Sequence, residues 1–170
     1  MKKSLGLCCA LFLIAISGEA NAQQARIVKF EDLAKMMSRQ NDTTYIFNFF
    51  ATWCEPCVEE FPSFQRFSSC YAQEKMRLIF VSLDFKKDFS KRLLPFLQKH
   101  HVKNEVVLLD EPDYNSWIDR VDSGWDGNLP ATLVINNGTH IHQMFAKDFT
   151  YASLEAAMKP IFDRFFFYKQ

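Results

Sequence analysis

The sequence has no basic stripe, no internal repeat, no low-complexity linker and no second long apolar run after its first sixteen residues. Each absence removes a class of function. Lysine plus arginine and aspartate plus glutamate number 20 each, so nothing points to a polyanion such as nucleic acid. The lack of a further apolar run leaves no candidate membrane span beyond the N-terminus. Cysteine is also scarce. Of five in the chain, Cys8 and Cys9 fall in the N-terminal apolar run, leaving Cys54, Cys57 and Cys70. One close pair and one odd cysteine do not make a disulfide-stapled scaffold.

The N-terminus reads as an export signal. Lys2 and Lys3 precede an apolar stretch over 5–16 that is short for a span, and Ala20-Asn21-Ala22 has the small-x-small pattern of a cleavage site. Cleavage is predicted after Ala22, giving a signal peptide over 1–22 and one domain over 23–170. An uncleaved anchor is the alternative. A lipid-modified cysteine would have to follow the apolar run, whereas Cys8 and Cys9 lie inside it. Removing Lys2, Lys3 and Glu19 leaves 18 basic and 19 acidic residues, a net charge of −1. Eighteen phenylalanines supply much of the apolar matter for a core.

Periodicity predicts alternating elements. Helices are expected over 30–39, 56–71, 89–101, 113–121 and 151–167, with Pro62 kinking the second and Asp113 capping the fourth. Strands are expected over 45–50, 77–83, 105–109, 131–135 and 140–145. The last two form a hairpin across Asn137-Gly138, and 123–128 reads as loop. This order argues for an α/β fold with a mixed central sheet flanked by helices.

The most informative segment is Phe49-Phe50-Ala51-Thr52-Trp53-Cys54-Glu55-Pro56-Cys57. It sets a dithiol where a buried strand runs into a helix. Free N–H groups and the positive dipole end favour a thiolate there, and a thiolate is what attacks disulfides. Cys54 is the expected nucleophile and Cys57, one turn later and more buried, the resolving thiol. A static disulfide or half of a metal site is the plain alternative.

Four stretches in order resemble the thioredoxin fold, and within it the exported TlpA/ResA-like thiol-disulfide oxidoreductases. They are the active-site run from Phe47 to Cys57, Glu60-Phe61-Pro62, Phe80-Val81-Ser82-Leu83-Asp84, and Gly127-Asn128-Leu129-Pro130-Ala131-Thr132. The resemblance implies a thioredoxin fold with an insertion before a cis-proline loop. It implies a Cys54/Cys57 redox couple, and a cis Pro130 with the Leu129 backbone beside it to pair with an extended substrate. Trp53, Glu55 and Pro56 are the further expected substrate contacts. Thioredoxin has an aspartate where this chain has Asn48, and the subgroup carries the glutamate matched by Glu60.

Glu60 is expected to exchange a proton with the cysteines or tune them, against a plain reading as a solvated helix carboxylate. Glu55 disfavours a nearby thiolate or simply serves the helix N-terminus. Asn48 is expected to be a structural hydrogen-bonding residue. Trp125 is either part of a docking surface or packing under a loop. Cys70 is expected to be a buried, inert thiol. His140, His142 and Met144 alternate and are expected on the outer face of the hairpin rather than at a metal. His100-His101 is expected to end a helix where positive charge is favoured.

The expected activity is exchange of two electrons between Cys54/Cys57 and a protein disulfide or dithiol in the periplasm, and the resemblance implies the reducing direction. It needs no cofactor, takes its electrons from a membrane donor and is carried by a monomer. A copper chaperone using the Cys54 and Cys57 thiolates is the rival. Copper-delivering relatives more often separate their cysteines by three residues and add a histidine. Peroxide reduction is more distant, since a threonine is wanted three residues before the reactive cysteine and Ala51 precedes Cys54 at that interval.

Overall fold

A computed structural model describes residues 25–167. The predicted signal peptide, including Cys8 and Cys9, lies outside the described residues. Six strands form one sheet: β1 (Arg26–Val28), β2 (Thr44–Phe50), β3 (Met76–Ser82), β4 (Glu105–Leu109), β5 (Ala131–Asn136) and β6 (Ile141–Phe145). Their order is β1-β4-β3-β2-β5-β6. The first four run parallel, and β5 and β6 are antiparallel to their neighbours. The helices are α1 (Phe30–Met37), α2 (Glu55–Cys70), α3 (Leu94–Lys99), α4 (Ile118–Val121) and α5 (Tyr151–Phe167). This is the mixed, helix-flanked sheet of a thioredoxin-like fold. No helix among the described residues is long and apolar enough to cross a membrane.

All seven residues of β2 are buried, because the strand is central and covered on both faces. Alternation divides its side chains. Ile46 and Phe50 join the core under α2, α3 and α5, and Tyr45, Phe47 and Phe49 join the core with α1 and α4. Phenylalanine fills the first of these cores. Phe61 stacks on Phe80 with centroids 4.0 Å apart, and Phe50 and Phe96 pack around them.

Several expectations need correction. β1 escapes periodicity because it has only three residues, one of them buried. The helix expected over 89–101 begins with a turn of π-helix, Phe89–Leu93, after a 3-10 turn at Lys86–Asp88. Asp113 caps no helix with its side chain; its carbonyl takes Ser116 N–H at the head of a 3-10 turn. The hairpin turn spans four residues, 137–140, and the left-handed residue is His140 at φ 56°. His140 therefore leaves the strand, and His142 pairs with Asp122 Oδ2 at 3.0 Å. Gly138 is required by a close approach, since a Cβ there would lie 2.9 Å from the Asn41 carbonyl oxygen. His100 does not favour positive charge: its pKa is lowered by burial and by Lys99.

Cys70 is exposed rather than buried, because it occupies the last turn of α2 beyond the buried stripe that ends at Phe67. It sits beside Tyr151. The Cys70 contact, with burial and Glu155, pushes the Tyr151 hydroxyl up to about 12.

Candidate functional site

The site forms where β2 ends. Leu83 N–H bonds the Phe50 carbonyl, and Cys54 N–H bonds the Ala51 carbonyl, so the chain turns sharply over 51–54. The buried Asp84 fixes this turn. Its carboxylate accepts the Thr52 N–H at 3.1 and 3.2 Å, the Thr52 hydroxyl at 2.6 Å and the Ser82 hydroxyl at 2.8 Å. Cys54 is the N-cap of α2, with extended backbone and no side-chain capping bond. Its sulfur is bonded to that of Cys57, with the two Cα atoms 5.3 Å apart.

Cys54 is 7% exposed and Cys57 fully buried. The asymmetry follows from the helix, since Cys57 is the first residue of the stripe continued by Glu60, Phe61 and Phe64. On reduction, Cys54 would be left at the positive end of a sixteen-residue helix. Glu55 and Pro56 open that helix on its exposed side. Trp53 stands out into solvent at 55% exposure, and Phe85, on the loop after β3, at 58%.

The Leu129–Pro130 peptide is cis. The β2–β5 register pairs Phe49 with Ala131. Continued by one residue, it sets Pro130 beside Phe50, four residues before Cys54. Pro130 is buried and Leu129 half-buried against both cores. Trp125 lies under this loop: it is buried, packs on Phe49 at 4.7 Å and donates its indole N–H to the Asn128 carbonyl. It belongs to packing rather than to an open docking surface.

Glu60 is only 2% exposed, which overturns the solvated-carboxylate reading. Oε1 accepts from Asn48 Nδ2 at 2.8 Å, and Oε2 accepts the Phe149 N–H at 2.8 Å. Burial pushes its acid up from the usual 4.5 to about 7. The two hydrogen bonds pull the other way, and the charge of Asp148 adds to the rise. A carboxyl poised near neutrality, three residues from Cys57 on the same helix, is suited to taking or giving a proton. Asn48 also donates to Thr132 Oγ1 at 3.2 Å. The sequence singled out neither Thr132 nor the Phe149 amide as a partner. The Phe149 amide is 89 residues from Glu60 and carries no side-chain signal. Asp84 appeared only within a matched stretch, not as the anchor of the turn.

The AhpC/TSA family profile matches residues 15–144. Solved structures similar to this chain include a thioredoxin-related protein from Neisseria meningitidis serogroup B. It is 22% identical, with TM-score 0.60, over 70% of this chain and 84% of that one. A thioredoxin-family thiol:disulfide interchange protein from Chlorobium tepidum is 20% identical, with TM-score 0.57, over 74% and 81%. A secreted Mycobacterium tuberculosis disulfide oxidoreductase homologous to E. coli DsbE is 15% identical, with TM-score 0.51, over 69% and 81%. At these identities the likeness is one of fold. No curated protein matches the chain significantly.

Proposed function

The chain belongs to the AhpC/TSA family, and we propose that it is an exported thiol-disulfide oxidoreductase that reduces protein disulfides through Cys54 and Cys57. The observation that carries this reading is the Cys54–Cys57 disulfide at the start of α2, with Cys54 as its outer sulfur. In the reduced protein the Cys54 thiolate attacks one sulfur of a substrate disulfide and expels the other as a thiolate. Cys57 then attacks Cys54 in the mixed disulfide, releasing the second substrate thiolate and re-forming the Cys54–Cys57 bond. Two electrons pass to the substrate, and protons are taken up by the released thiolates. Glu60 is the nearby group that can supply one.

Leu129 and Pro130 offer backbone for an extended substrate, and Trp53, Glu55 and Pro56 form the rim around Cys54. The Lys2-Lys3 start, short apolar run and Ala20-Asn21-Ala22 pattern of the sequence support export to the periplasm, with a membrane donor returning electrons to the pair. The protein works as a monomer, without a cofactor. Peroxide reduction is disfavoured by Ala51, a buried side chain with no hydroxyl three residues before Cys54.

The test is insulin reduction with a thiol reductant, paired with the reduction potential of Cys54–Cys57. A potential near thioredoxin's, about −270 mV, is the expected result. One near DsbA's, about −120 mV, would make the protein an oxidant instead. Stoichiometric tight Cu(I) binding without insulin reduction would favour the copper chaperone.

A further inference from the structure

Asn48 is fully buried in β2, and its side-chain amide is half satisfied. Nδ2 directs hydrogens to Glu60 Oε1 and Thr132 Oγ1, while the buried Oδ1 has no donor among the described residues. A buried polar atom without a partner is costly and calls for an account. The fork of donors suits an ionised Glu60, because a carboxylate only accepts. Glu60 Oε2 already takes the Phe149 N–H. A proton arriving on Glu60 therefore settles on Oε1, the oxygen that faces Asn48. The 2.8 Å contact would then set donor against donor. A half-turn of the terminal amide exchanges Nδ2 and Oδ1 with no backbone movement. Oδ1 then receives hydrogens from both Glu60 Oε1 and Thr132 Oγ1, in place of the two that Nδ2 gives them in the ionised arrangement.

We propose that Asn48 is a positioning residue with two amide orientations, one for the Glu60 carboxylate and one for the carboxylic acid, and that it transmits the protonation state of Glu60 to Thr132. The Thr132 hydroxyl accepts from Asn48 in the first orientation and donates to it in the second. Asn48 and Thr132 are partners on one rung of the β2–β5 ladder, and Thr132 lies two residues beyond Pro130. The strand that carries the cis-proline loop is thus wired to the proton on the CxxC helix. No covalent bond changes other than the O–H bond on Oε1. The consequence for disulfide exchange rests on the redox reading of Cys54 and Cys57; the amide switch itself does not.

Among the described residues, Asp148 is the charged group that acts on Glu60. The β6–α5 connection brings Asp148, which opposes ionisation, and Lys147, whose Nζ sits 5.1 Å from the centre of the Phe149 ring. α2 brings Cys57, which does not titrate while it is in the disulfide. β2 and β5 contribute the uncharged Asn48 and Thr132. With burial holding the Glu60 acid near 7, both orientations are populated around neutral pH.

The test uses the oxidised protein, so that neither cysteine of the pair titrates. The side-chain amide signals of Asn48 and the carboxyl carbon of Glu60 are followed by NMR from about pH 5 to about pH 9, a range that brackets the raised carboxyl. The Asn48 signals should move with the Glu60 midpoint and should stay at their low-pH position in Glu60→Gln. Asn48→Leu, which removes the hydrogen bond that favours the charged form, should raise the Glu60 midpoint by about one pH unit or more. Asn48 signals indifferent to pH while Glu60 titrates would overturn the proposal on the wild-type protein alone. So would a Glu60 midpoint unmoved in a folded Asn48→Leu. Insulin reduction is scored separately: its absence would sink the redox reading and leave the switch standing.

Discussion

Asp84 grips Thr52 through both its backbone N–H and its hydroxyl, the latter at 2.6 Å, and so ties the end of β3 to the turn that presents Cys54. Asp84 is 3% exposed, so these bonds form away from competing water. Asp84→Ala leaves the Thr52 donors and the Ser82 hydroxyl without their acceptor. The expected loss is about 3 kcal/mol of stability, the order for buried bonds to a charged group, read as a lower urea midpoint of the oxidised protein. Exchange should slow by roughly tenfold or more, because the turn no longer fixes the sulfur. Asp84→Asn, which retains one oxygen, should fall between. An exchange rate in Asp84→Ala equal to that of the wild type would show that the turn holds its geometry without this contact.

The exposure of Cys70 changes what a thiol-labelling experiment should show. In the oxidised protein, brief iodoacetamide treatment should modify Cys70 and leave Cys54 and Cys57 untouched. After reduction, Cys54 should join it and react faster at neutral pH, since the helix N-terminus favours its thiolate. Cys57, fully buried, should lag behind both. Peptide mass mapping distinguishes the three. Labelling of Cys57 ahead of Cys54 would reverse their roles.

Cys57→Ser should trap substrates. Without the inner thiol, a mixed disulfide at Cys54 has no intramolecular exit. Non-reducing gels of cell extracts should show high-mass adducts that collapse with reductant. These should persist in a Cys57→Ser, Cys70→Ser double variant, which removes the exposed bystander. Stronger trapping by Cys54→Ser would mean that Cys57 makes the first attack.

The parts of the fold visible in the sequence are those that local chemistry dictates. β2 shows itself as an unbroken apolar run because it is covered on both faces. α2 shows its start because the Glu55-Pro56 pair can open a helix but not continue a strand. The Cys54/Cys57 pair and Pro130 carry their own signals. What stayed hidden depends on distant partners. The place of Glu60 on the Cys57 side of α2 was legible, but its burial is set by Asn48 across the sheet and by the Phe149 amide on the β6–α5 connection. Cys70 misled because residue type suggests burial, whereas its place in the last turn of α2 decides otherwise. His140 lies outside β6 because the hairpin turn runs four residues, so the alternating pattern begins at Ile141.

Glu60 should make the oxidised protein lose stability as pH rises from about 4.5 to about 7. The unfolded chain ionises this carboxyl near 4.5, whereas the folded protein holds the proton until about 7. Between those values the native state binds more protons than the unfolded state, so stability falls with increasing pH. Below the window both states are protonated, and above it both are ionised with the full penalty in place. The interval corresponds to about 3 kcal/mol. Asp110, lowered by Lys86 and Lys29, titrates below the window, and His100, lowered by burial, carries the opposite sign within it; both groups are common to the wild type and Glu60→Gln, so the difference between the two proteins isolates Glu60. Glu60→Gln carries no charge and should remove this slope. Denaturant midpoints should be similar for the two proteins near pH 4.5 and should favour Glu60→Gln by about 3 kcal/mol at about pH 8. In the reduced protein the same substitution removes a negative charge near the dithiol. The thiolate midpoint, followed by absorbance at about 240 nm, should then move down, because a like charge disfavours ionisation. Parallel stability curves for the two proteins, with an unmoved thiolate midpoint, would mean that Glu60 is neither raised in the folded state nor coupled to the cysteines.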